Sequence, residues 1–289
     1  MPKVVALPFR LFDCHTHIGC YRDIANRSSM WNKVSLETLI SYLDGLNVAK
    51  AIVLPTYSWN VTLTMPTEYA LEACGKYPDR LMPFCAVEVR EQIFEERVVR
   101  YVDMGCRGLG EHTSKISVDH ELNLKLYRLC GKLEIPILMH LAITNSEAYG
   151  VTDLPDLKGL ENVVKEYSNV DFIMHGPGWW RHISAHVPPN VGYPEGPVEE
   201  PGRAVYLLEN YPNIYGDLSA GSGYNAIARD LAFGKKFLER LNGKTLYGTD
   251  LEVFFTPEHP HIKLLENLNL AAEAYENIYH KNLERLVKA

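Results

Sequence analysis

Two histidines stand one residue apart in the segment LFDCHTHIGC, where His15 and His17 end an apolar run that a glycine soon follows. On a β-strand, side chains two positions apart point to the same face of the sheet. Two imidazoles placed in this way converge on one point, as a divalent metal ion requires. The alternative is that both are polar residues of a loop. Further ligand candidates elsewhere in the sequence would favour the metal site.

More ionisable side chains stand late in other apolar runs: Glu111 in GCRGLGE, His140 in PILMHLA, His175 in DFIMHG and Asp250 in LYGTDLE. Each one alone has a structural explanation, as a core histidine, a turn-forming Asp or a Glu paired with a base. Together they would be costly to bury unless a cation or one another satisfied them. Imidazoles and carboxylates are typical ligands of catalytic zinc, manganese, iron or cobalt. The sequence therefore predicts a metal site.

Eight strand-like runs could carry these residues: 11–17, 50–55, 81–87, 105–111, 136–142, 171–176, 213–219 and 246–252. Several are continuously apolar, which is typical of parallel strands buried on both faces. Amphipathic helical segments lie between them; the first is predicted to begin after an N-cap at Ser35. This alternation predicts one α/β domain over 1–289, a (β/α)₈ TIM barrel, with a doubly wound open sheet as the alternative. In a barrel, the C-terminal strand ends, where the ligand candidates fall, carry the chemistry.

A Pro- and Gly-rich stretch, residues 177–202, directly follows the sixth predicted strand. A connection of this length in a compact domain is typically a lid or a binding loop, and the alternative is a solvated excursion without a role. Within it, Trp179 and Trp180 are predicted to wall an apolar or aromatic substrate, and Arg181 to anchor a substrate carboxylate. The alternative is that the indoles pack the loop onto the barrel rim and that the arginine forms a salt bridge.

Similar residues follow the second and third predicted strands. Tyr57 and Trp59 are candidates for the substrate wall, although packing is favoured for Tyr57, and Arg90 is a second candidate anchor for a carboxylate. Either arginine could equally form a surface salt bridge.

The composition is that of a globular protein that can bury a core, with 289 residues, 46% apolar and 22% charged. A net charge of −7 with interspersed signs argues against a nucleic-acid or anionic-membrane surface. The sequence shows neither a bilayer-spanning apolar run nor a signal peptide, so we expect a cytoplasmic location. Six cysteines without CxxC pairs suit reduced, buried thiols.

The order HxH, Glu, His, His, Asp resembles the amidohydrolase superfamily of metal-dependent barrels. More narrowly, the chain resembles the amidohydrolase-related family that also includes carboxymuconate-semialdehyde decarboxylase-like enzymes. FDCHTHIG is similar to the opening strand of that family, LYGTDLEVF to its eighth strand and YENIYHKNLERLVK to its closing helix. The resemblance covers essentially the whole chain.

The resemblance implies roles for individual residues. His15, His17 and His140 would bind the metal, and Asp250 would contact it and handle a proton. His175 would bind a second metal or act as a catalytic residue.

Glu111 and its neighbour are treated separately. Glu111 departs from the lysine of many binuclear relatives and is similar to the Glu of deoxyribonuclease-type barrels, which leaves one or two metal ions open. His112 would point away from the site and is expected to be structural.

These residues predict a hydrolase that uses a metal-activated water to cleave a C–N or C–O acyl bond of a small molecule. The alternative is a metal-dependent lyase, a decarboxylase or hydratase acting on a small carboxylated substrate, because fold does not decide function. A barrel that binds metal or ligand without turnover is the third hypothesis.

The expected cofactor is one or two divalent ions, zinc first, with Mn²⁺, Fe²⁺ or Co²⁺ as alternatives. The expected binding partner is a small-molecule substrate. We expect no binding to nucleic acid or to a membrane, and a homodimer is a possible oligomeric state.

Overall fold

Parallel strands alternate with helices in the computed structural model, which describes residues 9–19, 34–57, 65–143, 150–250 and 259–288. Over these ranges the strands are β1 (Leu11–Thr16), β2 (Val48–Val53), β3 (Leu81–Pro83), β4 (Leu109–His112), β5 (Ile137–His140), β6 (Phe172–His175), β7 (Ile214–Asp217) and β8 (Thr245–Leu246). The order β1-β2-β3 forms one sheet and β4-β5-β6-β7-β8 forms another, and every pairing is parallel.

The helices lie between and after these strands. In the same described ranges, the α-helices are α1 (Leu36–Gly45), α2 (Thr67–Lys76), α3 (Phe94–Asp103), α4 (Glu121–Leu133), α5 (Lys158–Glu166), α6 (Pro177–Trp180), α7 (Arg203–Asn210), α8 (Ala220–Ala228), α9 (Leu231–Leu241), α10 (Pro260–Asn267), α11 (Ala272–Glu276) and α12 (Asn282–Val287). A π-helical turn, Asn277–Lys281, joins α11 to α12. The predicted N-cap of α1 is confirmed, because the Ser35 side chain accepts from the Thr38 amide.

Backbone hydrogen bonds join the two sheets at both seams. Between β3 and β4, the Cys85 amide donates to the Gly108 carbonyl at 2.9 Å and the Gly110 amide donates to the Cys85 carbonyl at 2.8 Å. Between β1 and the residue that follows β8, the Cys14 amide donates to the Tyr247 carbonyl at 3.0 Å. The α/β fold with parallel strands in a TIM-barrel arrangement is therefore confirmed, and the single-domain boundary at 1–289 stays a prediction.

All eight predicted strands overlap an observed strand within the described residues, and the ends differ most at β8. The amide of Tyr247 donates to the Ile278 carbonyl of the π-helical turn at 2.9 Å instead of continuing the ladder. Asp250 has φ 49°, a left-handed conformation that does not extend a strand. Residues 251 and 252 of the predicted strand lie outside the described residues.

The barrel interior is filled by a cluster that combines residues of seven strands with the last helix. Its members are Phe12, Cys14, Ile52, Leu54, Met82, Phe84, Leu138, Ile173, Tyr215, Leu246, Leu283, Leu286 and Val287. The pairing of β1 with β2 shifts between Asp13 and Thr16. Within this interval Cys14 packs in the interior cluster, and His15 directly follows it.

The long segment 177–202 is folded back on the barrel by specific contacts. It begins with α6 and a 3₁₀ turn, Arg181–Ile183, and Ser184 pairs with Pro201 in an antiparallel bridge. The Arg229 guanidinium donates to the Ser184 hydroxyl. A cavity of about 570 Å³ lies under the segment, lined in part by Tyr193 and Arg229.

None of the helices in the described ranges combines the length and the apolar character that a bilayer crossing demands. Five of the six cysteines are free and buried, as expected, and Cys20 lies outside the described residues.

Candidate metal centre

Six predicted side chains meet at the C-terminal ends of the strands, and all six are buried: His15, His17, Glu111, His140, His175 and Asp250. The parallel barrel brings them together although they are spread over more than two hundred residues of sequence. His140 and His175 are direct partners across the β5–β6 ladder. The Asp250 amide donates to the His15 carbonyl at 2.9 Å, so the chain that follows β8 is joined to β1 at the site.

The two histidines of the HxH segment meet through their Nε2 atoms, which lie 3.1 Å apart. The Nδ1 atom of His15 faces Asp217 Oδ2 at 2.6 Å, and that of His17 faces the Leu54 carbonyl at 2.9 Å. Both acceptors lack hydrogen, so each Nδ1 carries a proton and donates it. In the neutral rings, both Nε2 lone pairs then face each other, and such an arrangement requires a positive charge between them.

A divalent ion fits this pair. Two nitrogens that each bind one ion at ~2.1 Å can lie up to ~4.2 Å apart; the observed spacing between the two Nε2 atoms is 3.1 Å. A proton is the other cation that can stand there. Burial by itself would lower the pKa of His15, but the carboxylates of Asp217 and Asp250 outweigh it and raise this pKa to about 10. Burial and the neighbouring His15 charge lower the pKa of His17.

Glu111 occupies the middle of the group. Its Oε1 accepts from His140 Nδ1 at 2.8 Å, and its Oε2 lies 3.9 Å from His17 Nε2. Burial would raise the pKa of Glu111, but the surrounding imidazoles, His140 first, hold it well below its usual range. Glu111 is thus a buried carboxylate with His140, His17 and His175 around it.

The GLGE segment allows this close approach. Gly110 has φ +153°, and a Cβ there would lie 2.7 Å from the Leu138 carbonyl oxygen of the neighbouring strand, so only glycine fits. Gly176 plays the same part on the other side, because a Cβ there would lie 2.9 Å from His140 Nε2.

His175 and Asp250 face each other across the group. His175 Nε2 lies 3.9 Å from Asp250 Oδ2 and 3.9 Å from Glu111 Oε1. Asp250 Oδ1 lies 3.8 Å from His17 Nε2 and accepts no hydrogen bond from the described residues although it is buried. A buried carboxylate oxygen in this condition can coordinate a cation or accept a proton.

Two overlapping groups of the described residues could hold a metal ion: His15 with His17 and Asp250, and His15 with Glu111 and His175. His140 belongs to neither, because its Nδ1 is engaged by Glu111 at 2.8 Å. The structure thus places His140 beside Glu111. The ligand role of each residue stays a prediction.

Sequence reasoning missed Asp217, which ends β7 and is completely buried. Its Oδ2 contacts Nδ1 of His15 at 2.6 Å and Nδ1 of His175 at 3.1 Å. Burial would raise the pKa of Asp217, but the two histidines, His15 first, hold it well below its usual range. The signal was an acidic residue near the end of a predicted buried strand, NIYGDLS, the same position that singled out Glu111.

His259 and His261 were also missed. His261 Nε2 donates to the Ala220 carbonyl at 3.0 Å, which joins the start of α10 to the turn after β7. Burial lowers the pKa of His259 to about 3 and that of His261 to about 4, so both rings are neutral. The HPH tripeptide after the last strand could have indicated them.

The tryptophans of segment 177–202 lie in the hydrophobic core, with 0% of Trp179 and 1% of Trp180 exposed. The Trp180 Nε1–H donates to the backbone carbonyl of Asp217 at 2.7 Å. Arg181 is 7% exposed, donates to the Pro188 carbonyl and lines a cavity of about 380 Å³ beside the ends of β5 and β6. Both indoles pack within the hydrophobic core, and the Trp180 N–H is already bound to a backbone carbonyl, which favours the packing interpretation.

The remaining candidates have protein partners. The Tyr57 hydroxyl donates to Glu91 Oε1 at 2.8 Å, which favours its packing interpretation, and Arg90 forms an ion pair with Glu88 at 2.8 Å. His112 contacts Asn123 of α4 at 2.9 Å, in agreement with a structural role. Trp59 lies outside the described residues.

A family model described as Amidohydrolase matches residues 12–288. No curated protein matches the chain.

Solved structures share the fold over nearly the whole chain. An uncharacterised TIM-barrel protein from Bordetella bronchiseptica is 16% identical with a TM-score of 0.73, over 97% of this chain and 99% of that one. A probable 2-pyrone-4,6-dicarboxylic acid hydrolase from Acinetobacter baumannii, with citric acid bound, is 16% identical with a TM-score of 0.63, over 97% and 100%. A 5-carboxyvanillate decarboxylase from Novosphingobium aromaticivorans, complexed with manganese, is 12% identical with a TM-score of 0.63, over 98% and 97%.

Proposed function

The chain belongs to the amidohydrolase family, and from this premise we propose that it is a metal-dependent hydrolase that cleaves a C–N or C–O acyl bond of a small molecule. The observation that carries the metal site is the 3.1 Å contact between His15 Nε2 and His17 Nε2, with both Nδ1 atoms donating elsewhere. The ion would be held by His15, His17 and Asp250, with Glu111 and His175 as further candidate donors. Zinc is the proposed ion, and Mn²⁺, Fe²⁺ and Co²⁺ suit the same donors.

When bound, the ion polarises a carbonyl group and brings the ionisation of water towards neutral pH. Asp250 then supplies the base: its Oδ1 is buried, accepts no hydrogen bond from the described residues and faces the group. A proton taken up at this oxygen can be passed on to the leaving nitrogen or oxygen of the substrate, as in general acid–base catalysis.

His175 supplies the second polar contact to the substrate. Its Nδ1 is held by Asp217 and by the Ser219 hydroxyl, both at 3.1 Å, so its Nε2 is directed at the group. From that position, Nε2 can orient a substrate oxygen on which negative charge develops.

The substrate is proposed to be a small molecule bound at the C-terminal rim of the barrel, and no binding to nucleic acid or to a membrane is proposed. The chain is proposed to be a single domain that can form a homodimer. The sequence similarity of the whole chain to one family model supports the single domain.

The test is a panel of small esters, amides, lactones and carboxylic acids, assayed with the protein as purified, after chelation and after metal is restored. Release of an amine or alcohol that disappears on chelation and returns with zinc supports the hydrolase proposal. Turnover that chelation leaves unchanged over the whole panel contradicts it. Metal binding without turnover of any member would favour the third hypothesis, a binding protein.

A decarboxylase is the second candidate, supported by the similarity to the manganese-containing 5-carboxyvanillate decarboxylase. A carboxylated substrate would need a cationic contact, and Arg90 and Arg181 are the two candidates near the strand ends. Release of CO₂ from a member of the carboxylic-acid set, without an amine or alcohol product, would favour this lyase.

A further inference from the structure

The Asp217 carboxylate contacts two histidines of the candidate metal centre, His15 and His175, at their Nδ1 atoms. Asp217 Oδ2 accepts from His15 Nδ1 at 2.6 Å and lies 3.1 Å from His175 Nδ1. His15 and His175 belong together to one of the two groups that could hold a metal ion, and their rings are 4.2 Å apart between centroids. Asp217 itself is not in either group, because its oxygens face the Nδ1 atoms.

The Asp217 carboxylate is held in place on every side. Its Oδ2 accepts from the Ser219 hydroxyl at 2.9 Å, and its Oδ1 accepts from the Ser219 amide at 2.8 Å and from the Cys14 thiol at 3.2 Å. The backbone carbonyl of Asp217 accepts from Trp180 at 2.7 Å. A carboxylate with all these donors cannot rotate away from the two imidazoles.

We propose that Asp217 is a positioning residue that orients His15 and His175 together, by keeping a proton on Nδ1 of each ring and directing both Nε2 atoms at the metal centre. This inference rests on the proposed metal site. The ionised carboxylate accepts hydrogen bonds and donates none, so it selects the tautomer in which Nε2 carries the lone pair. Outer carboxylates of this kind raise the basicity of a ligating histidine and fix its ring.

The sharing of one oxygen has a consequence that two separate carboxylates would not have. Because both Nδ1 contacts end on Oδ2, replacing Asp217 disturbs the proposed ligand His15 and the proposed catalytic group His175 at once. Metal affinity and the environment of the bound ion should therefore change together.

The experiment compares metal binding by wild type, Asp217→Asn and Asp153→Asn. Asp153 is the matched control, a largely buried aspartate that among the described residues accepts from the backbone amides of Leu154, Gly159 and Leu160. Dissociation constants for Zn²⁺ are measured by competition with a chelator, and the visible absorption of Co²⁺-loaded protein reports the ligand environment. Asp217→Asn should weaken Zn²⁺ binding by about 10- to 100-fold and shift the Co²⁺ spectrum. Asp153→Asn should leave both unchanged.

The outcomes separate this inference from the proposed function. If the wild type binds no zinc, the metal site itself is wrong. If the wild type binds zinc and Asp217→Asn binds it equally with the same Co²⁺ spectrum, the positioning role is wrong.

If Asp217→Asn does not fold, the positioning role of Asp217 is tested with Ser219→Ala and with the wild type. Ser219→Ala removes one donor to Oδ2 and should weaken Zn²⁺ binding in the same direction by a smaller factor. In the zinc-loaded wild type, ¹⁵N-edited NMR of the histidine rings should place a proton on Nδ1 of both His15 and His175. A proton on Nε2 of either ring overturns the inference.

Discussion

The Thr249 hydroxyl donates to Asp13 Oδ2 at 2.6 Å, and the Thr249 amide donates to Asp13 Oδ1 at 3.0 Å. These bonds join β1 to the segment that follows β8, one residue before Asp250. They explain how Asp250 keeps a φ of 49°, a conformation that costs an ordinary residue about 1–2 kcal/mol. The closure of the barrel thus places the Asp250 carboxylate beside the HxH segment.

Asp250→Asn should retain metal but lose turnover. The amide keeps an oxygen that can coordinate the ion, but it cannot accept a proton, so kcat should fall by at least about 10²-fold. Zinc content by elemental analysis and kcat on a substrate found in the panel are the two measurements. An Asn variant with nearly full kcat would remove Asp250 from the proton-handling role.

Protein purified without chelator should contain one divalent ion per chain. Both candidate groups use His15, and its Nε2 has a single lone pair, so the groups describe one centre and not two. Elemental analysis measures the ratio, and two ions per chain would contradict this interpretation.

Removing that ion should lower thermal stability. Free metal at about a hundred times its dissociation constant adds ~2.7 kcal/mol. With an unfolding entropy of ~2.1 cal/mol/K per residue, this is equivalent to roughly 4–5 °C in Tm for 289 residues. Differential scanning calorimetry before and after chelation tests this, and an unchanged Tm would count against a preformed site.

Trp180→Phe should destabilise the fold without changing KM. The substitution removes the buried hydrogen bond to the Asp217 carbonyl, at a cost of about 0.5–1.5 kcal/mol. Urea unfolding measures the loss. Trp179→Phe is the control, because Trp179 Nε1 has no hydrogen-bond partner among the described residues, so its loss should be smaller. A large change in KM at nearly unchanged stability would instead return Trp180 to the substrate wall.

Asp153 should make stability fall as the pH rises from about 4 to 6. Burial raises the pKa of Asp153 from 3.8 to about 6, so the folded state holds a proton that the unfolded chain has already lost. The stabilisation is fully present below the unfolded pKa and is lost as the pH passes the folded one, by at most about 3 kcal/mol. Asp153→Asn should lack this component. The unfolding free energy of the variant minus that of the wild type, measured at pH 4, 5, 6 and 7, should therefore increase with pH. A difference that is constant with pH would show that Asp153 keeps its ordinary pKa when folded.

The local pattern was sufficient for the strands and for most of the clustered residues. Apolar runs of strand length identify their own conformation, and a parallel barrel brings every C-terminal strand end to one rim. Six residues could therefore be placed together from sequence because each stands late in such a run: His15, His17, Glu111, His140, His175 and Asp250.

Side-chain direction and pairing were decided only by the tertiary structure. Asp217 meets His15 across 202 positions of sequence, and Glu111 meets His140 across 29. Trp180 looks like a loop residue in sequence, yet it is buried against β7 because its N–H reaches the Asp217 carbonyl. Periodicity encodes which face of an element is apolar, whereas these contacts depend on where each neighbouring element ends and on which ring nitrogen carries a proton, and both are properties of the assembled barrel.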